Sequence, residues 1–182
     1  MATLERIHFV PHYLVRRENA VAYSPSSSRP SIEGLPQIFW ADYAPWREAN
    51  LWAVERATTG DASLKTVASN MNGLLNYAKF LESRDLQWFE FPARKADRCL
   101  VLYRGALIKM RDAGQISPST ASEYMRNCIM FYRWVRHREL LSPHVQLWRE
   151  KPYVVKYFDR VGFERTISGT TTDLSIPNRK RP

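Results

Sequence analysis

The chain has 182 residues, 45% of them hydrophobic and 25% charged, and carries a formal net charge of +9. That length supports one domain with a packed core plus extensions, while two cysteines fall short of a disulfide framework or a thiolate metal set. No eighteen consecutive apolar residues occur, and the first twenty lack the unbroken apolar core of a secretory signal, so a soluble, cytoplasmic protein without membrane contact is expected.

The charge excess is uneven. Residues 1–60 hold six basic and six acidic side chains, residues 61–150 hold 14 against 9, and residues 151–182 hold seven against three. A basic excess on a folded region plus a basic tail suits a polyanion, of which nucleic acid is the commonest, although an ordinary basic surface gives the same count.

In chain order, "RIHFVPHYLV" reads as a short strand that Pro11 breaks or confines to an edge. "SPSSSRPSIEGLP", residues 24–36, has a Ser, Pro and Gly content that cannot sustain a helix or a central strand. "PQIFWADYAPWREANLWAVERATTG" holds three tryptophans and a short helix from Pro45 that ends before Gly60. Its aromatics are expected to cover the flank of the core, base stacking being the sharper alternative. These residues, 1–60, form an N-terminal extension.

Asp61 or Ser63 then caps a helix with Leu64, Val67, Ala68, Met71, Leu74, Leu75, Ala78 and Leu81 on one side. Its other side reads Lys65, Ser69, Asn72, Asn76, Lys79 and Ser83, polar, partly basic and free of acids. "CLVLYRGALIKM", residues 99–110, is apolar almost all round, interrupted by Arg104 and Lys109, which predicts a helix sandwiched between neighbours. Gly114 stops it, and Ser117-Pro118 supplies the next cap and first turn.

The following helix, within Ser117 to Leu140, carries Ala121, Tyr124, Met125, Cys128, Ile129, Tyr132 and Val135 at helical core spacing. Opposite them lie Ser119, Ser122, Arg126, Arg133 and His137, again without an acid. A solvated face normally mixes Glu with Lys. Ser and Asn among cations instead suit hydrogen bonding to phosphates and base edges. Ser142 and Pro143 start a short fourth helix through about Glu150. The fold expected is mainly α, a four-helix bundle over residues 61–150, with residues 151–182 as a basic, extended linker.

The run from "LNYAKFLE" to "GQISPSTASEYMRNCIMFYRWVRHRELLSP" resembles the core-binding domain of tyrosine recombinases, the phage-integrase family, over residues 61 to about 150. The resemblance implies a four-helix domain that clamps one face of duplex DNA, a separate C-terminal domain that cuts through a tyrosine, and self-assembly of the longer protein on DNA. It also implies that residues 151–182 lead toward that catalytic domain, so that the chain is a piece of a longer recombinase. The family's His-x-x-Arg motif is absent: His8, His12, His137 and His144 are followed three positions later by Pro11, Val15, Leu140 and Leu147.

No catalytic residue carries over, and the nine tyrosines read as core or interface residues. The expected partner is double-stranded DNA, met by Lys65, Ser69, Asn72, Asn76, Lys79, Arg104, Lys109, Ser119, Ser122, Arg126, Arg133, Arg136 and His137. The competing reading is a helical protein-interaction module whose basic surface meets an acidic partner. Cys99 and Cys128 lie in apolar helical patterns and read as buried thiols. His8 and His12 have the spacing of a helical zinc pair, but Pro11 spoils that helix. Nucleotide-binding glycine loops and the G-x-S-x-G elbow are missing, so no metal, cofactor or small-molecule substrate is expected.

Overall fold

A computed structural model of the chain describes residues 1–17, 20–158 and 162–177, which form two compact units, Met1–Arg84 and Asp85–Pro182. Among the described residues six strands accompany four α-helices, so the fold is mixed α and β, not mainly α as the helical periodicity suggested.

In the first unit, strand β1 (Thr3–Phe9) pairs antiparallel with β4 (Ile32–Phe39), from Thr3 opposite Phe39 to Ile7 opposite Leu35, with a register shift before Phe9. Pro11 then separates β1 from β2 (His12–Arg17), which pairs with β3 (Ala20–Pro25). The Ser26 amide donates to the Pro11 carbonyl at 2.8 Å and joins the two tiers into one long, stepped hairpin. The Ser/Pro-rich stretch thus contributes to β3 and β4, where two-stranded pairing leaves the outer amides and carbonyls unclaimed by the ladder and prolines are tolerated.

Helix α1 (Arg47–Thr58) and helix α2 (Leu64–Ser83) cover β4. Leu35 and Ile38 of β4, Ala49 and Ala53 of α1, and Met71, Leu74, Ala78 and Leu81 of α2 are fully buried. Ser63 caps α2, accepting from the Thr66 amide at 3.2 Å. Trp46 and Trp52 are buried, and Trp46 packs 4.9 Å from Trp40 and 6.3 Å from Tyr77, so these two rings serve the core, while Tyr43 of the same segment is exposed.

Two polar latches fix this unit. The Asn50 amide receives the Ile38 N–H at 2.7 Å and donates to the Ile38 carbonyl at 2.9 Å, tying α1 to the free edge of β4. Glu82, in the last turn of α2, accepts from the Ala2 amide and from the Ala41 amide, the latter at 2.7 Å.

In the second unit, helix α3 (Cys99–Asp112) and helix α4 (Pro118–His137) are joined through Gly114, whose φ of 72° is the left-handed stop that glycine adopts without penalty. Ser117 caps α4, accepting from the Thr120 amide at 3.0 Å with Pro118 in the first turn. Only Cys99, Leu100, Tyr103 and Leu107 of α3 are buried and Leu102 is 39% exposed, so this helix packs on one side and is not sandwiched. Trp88 enters the core from the preceding loop, its ring 6.0 Å from Phe131 and its carbonyl receiving the Tyr132 hydroxyl.

The expected fourth helix at residues 142–150 does not form. One turn follows Ser142, and residues 145–149 then run without regular secondary structure, Leu147 and Trp148 both buried. Arginine side chains take the carbonyls a helix would have used: Arg98 reaches Gln146 at 2.6 Å and Arg136 reaches Val145 at 3.3 Å. Residues 151–158 and 164–172 are likewise not a bare linker. Strand β5 (Glu150–Phe158) pairs with β6 (Glu164–Thr172) over nine registered positions, and Leu174 and Ile176 beyond it are buried. The Val, Tyr, Ile and Thr content that read as extended suits this ribbon.

Candidate nucleic-acid interface

On α2, burial of the Val67, Met71, Leu74, Ala78 and Leu81 face turns the predicted polar row outward. Lys65, Ser69 and Asn72 are exposed, while Asn76 and Lys79 are half-buried. The acid of this helix, Glu82, is bound to backbone amides and stays out of the row. This row belongs to the first unit, and the remaining predicted contacts belong to the second.

In the second unit, the acid-free face of α4 forms one wall of a groove of about 470 Å³. Ser122, Arg126, Ile129 and Arg133 line that wall. Opposite them stand Tyr153 of β5, Thr170, Thr171 and Thr172 of β6, and Ser175 and Ile176 beyond it. None of these lining residues is acidic.

Arg126 is exposed, and Arg133 lies 3.7 Å from Glu150 with its side chain half exposed. The Thr171 and Ser175 hydroxyls are 2.8 Å apart. Two guanidiniums beside a bank of hydroxyls can grip phosphate or sugar oxygens, since the planar guanidinium offers paired donors and hydroxyls adapt as donor or acceptor. The hydroxyl wall was invisible to helical periodicity, because a ribbon 40 residues further on supplies it; the Thr-rich composition of residues 166–172 was its one trace in the sequence.

Not every predicted contact lines the groove. Arg104 donates through Nε to the Leu174 carbonyl at 3.1 Å, so it holds the chain after β6. Arg136 bonds the Val145 carbonyl and lies 5.6 Å from the Trp148 ring centroid, again a packing role. Lys109, Ser119 and His137 are exposed, outside the groove lining.

The tail of the groove is held by Asp173. Its carboxylate accepts from the Arg149 amide at 3.0 Å and pairs with Lys95, while its own amide returns to the Arg149 carbonyl at 3.0 Å. Partial burial raises the Asp173 carboxyl, but the Lys95 ammonium, the Arg149 amide and the nearby Lys151 charge outweigh that and hold it below the ordinary carboxylate range.

Cys99 and Cys128 are buried free thiols, and burial together with the neighbouring Cys99 pushes the Cys128 thiol well up. Tyr77, Tyr103 and Tyr132 are core residues; burial, reinforced by Cys128 and Tyr124, pushes the Tyr103 phenol well above its ordinary range. Five tyrosines, Tyr13, Tyr23, Tyr43, Tyr153 and Tyr157, are instead exposed. His8 pairs with Glu33 and His12 with the Val10 carbonyl at 2.7 Å. Among the described residues no group of His, Cys, Asp and Glu is arranged to hold a metal, and no helix is long and apolar enough to cross a membrane.

No family model, curated protein or solved structure matches this chain.

Proposed function

We propose that this chain grips duplex DNA, using the Arg126 and Arg133 groove of α4 and the Lys65 to Lys79 row of α2 as its phosphate-facing surfaces. The observation that carries the reading is the groove itself: two arginines seven residues apart on one helix face a wall of threonine and serine hydroxyls, with no acid in the lining. Phosphate contacts of this kind supply affinity and register, whereas base contacts supply sequence choice.

The resemblance in sequence of residues 61–150 to the core-binding region of tyrosine recombinases supplies the setting, although these residues divide between two units and do not form the four-helix bundle it implied: a DNA grip that serves strand cutting performed elsewhere in a longer, self-assembling protein. In this role the chain is a binding module and not a complete enzyme, and it works without cofactor, metal or small-molecule substrate.

A mobility shift with duplex DNA at low salt tests the grip. Retardation that weakens in the Arg126→Ala, Arg133→Ala double variant is expected; no retardation, or retardation indifferent to both changes, overturns the reading. A nicked substrate that traps covalent intermediates tests the division of labour, because a protein–DNA adduct through any tyrosine here makes the chain a strand-cutting enzyme. The competing reading, an acidic protein partner, is favoured by the β2–β3 ribbon, which exposes Leu14, Val21 and Tyr23 beside Arg16. Such a partner would bind without the strong, linear log-salt dependence of duplex contacts.

A further inference from the structure

The β5–β6 ribbon carries exposed aromatic side chains beside the arginines and hydroxyls of the duplex grip. By the alternation of a strand, Lys151, Tyr153 and Tyr157 share one face of β5, and the register places Thr171, Gly169 and Arg165 opposite them. Tyr153 is 42% and Tyr157 43% exposed, in a two-stranded ribbon. An apolar ring left half in water on a ribbon signals a partner with a flat face or a hydrophobic one.

Gly169 decides how Tyr153 lies. A Cβ at Gly169 would fall 2.8 Å from the Tyr153 ring, so the absent side chain lets the ring lie across the neighbouring strand. Tyr153 also lines the groove that holds Arg126 and Arg133. Along this face a cation stands at each end of the ring pair, Lys151 before Tyr153 and Arg165 opposite Tyr157, and the face continues from a cationic groove. That combination, rings to stack on and positive charge to follow the backbone, is the chemistry of single-stranded nucleic acid recognition.

We propose that the Tyr153–Tyr157 face of the β5–β6 ribbon is a stacking platform for unpaired bases of single-stranded DNA whose backbone enters the Arg126 and Arg133 groove. The proposal rests on the polyanion-binding reading of that groove and adds a second substrate form to it. Duplex DNA meets the arginines and hydroxyls, whereas exposed base faces meet the tyrosines. Stacking is sequence-tolerant, because every base has a π-face.

The test compares a twenty-nucleotide oligothymidine with a duplex of the same length, by fluorescence anisotropy at low salt, for the full chain and for Tyr153→Ala, Tyr157→Ala and Tyr153→Phe. Thermal melting confirms folding of each variant. Each alanine variant should weaken oligothymidine binding by about fivefold to a hundredfold, with duplex affinity changed less than twofold in Tyr157→Ala, whose ring lies outside the groove lining, and Tyr153→Phe close to the parent. Gly169→Ala, which displaces the ring, should weaken oligothymidine binding in the same sense.

Duplex binding without oligothymidine binding overturns the platform and leaves the duplex reading intact. Equal losses for both DNA forms in Tyr157→Ala also overturn it, assigning that tyrosine to packing or to an ordinary phosphate contact. Oligothymidine binding lost on tyrosine removal, in a chain that ignores duplex, supports the platform and overturns the duplex reading. Indifference to both DNA forms overturns both and leaves a protein partner as the occupant.

Discussion

Asn50 shows how much one side chain can hold. It is 6% exposed and is the partner of both polar groups of Ile38, so its amide substitutes for the strand that β4 lacks on that side. In Asn50→Leu the Ile38 carbonyl keeps the Trp46 amide, at 2.9 Å, but the Ile38 N–H loses its partner. A buried amide left in that state costs about 1–3 kcal/mol, and urea unfolding should show a loss of that size. A loss below about 0.5 kcal/mol would mean that water reaches this edge. Asp173 is a second such residue, with a pH signature. Its folded pKa lies below the unfolded one, so the stabilisation it brings is present above the ordinary carboxylate pKa of about 3.9 and fades as pH falls through the depressed value. Asp173→Asn should flatten the acid limb of the Tm–pH profile below pH ~4 while leaving its neutral limb nearly parallel to the parent's. An acid limb that stays as steep in the variant assigns the acid sensitivity elsewhere. Neither latch was legible in the sequence, because Asn50 and Ile38 stand twelve residues apart and Asp173 and Lys95 seventy-eight, and no local pattern announces such a pairing.

At the scale of elements, punctuation was readable and ribbons were not. Ser63 and Ser117 cap the helices that their sequence positions announced, Gly114 stops α3, and Pro11 divides two strands. These are local rules written in single residues. The stripes on α2 and α4 were close to right, with differences that belong to tertiary packing: Asn70 and Tyr77 join the buried side of α2, and Asn127 and Phe131 that of α4. The four-helix bundle failed at residues 142–150, where a Ser-Pro start promised a helix and distant arginines claimed its carbonyls instead. It failed again after residue 150, because an exposed two-stranded ribbon has no core-facing alternation to distinguish it from an extended linker. Leu174 separates the two pictures by experiment. In a linker its truncation would be nearly silent; at 2% exposure, Leu174→Ala should cost about 2–5 kcal/mol in denaturant unfolding. An effect within about 0.5 kcal/mol would place residues 173–176 outside the packed unit. The hydroxyl wall of the groove depends on the same segment, so Leu174→Ala should also weaken DNA binding at temperatures where the rest of the chain stays folded.

For the molecule as a whole, the proposed duplex grip turns on how many cations it would bring to phosphate. Of the lysines and arginines predicted to contact DNA, Arg104 and Arg136 bond carbonyls, which leaves Lys65 and Lys79 on α2, Lys109 on α3, and Arg126 and Arg133 on α4 as the candidates for phosphate, Arg133 in competition with Glu150 at 3.7 Å. Each duplex phosphate neutralised lowers the slope of log K against log salt by about 0.9. Three to five contacts then give a slope of roughly −3 to −4.5 for the full chain. The Arg126→Ala, Arg133→Ala pair should remove about 2 from the magnitude of that slope, and so should the Lys65→Ala, Lys79→Ala pair. If both helices hold the same duplex, the two reductions add in the quadruple variant, because counterion release counts contacts and does not require them to be neighbours. A slope that responds to the α4 pair alone confines the grip to the second unit and makes the α2 row an ordinary solvated face. If one arginine reads guanine instead of neutralising phosphate, the signature changes in kind: its alanine variant relaxes preference at one base pair more than it alters the slope. A slope near zero in the parent chain, with binding still present, would show that release of phosphate counterions is not what holds the partner, and the acid-free faces of α2 and α4 would then belong to a protein contact.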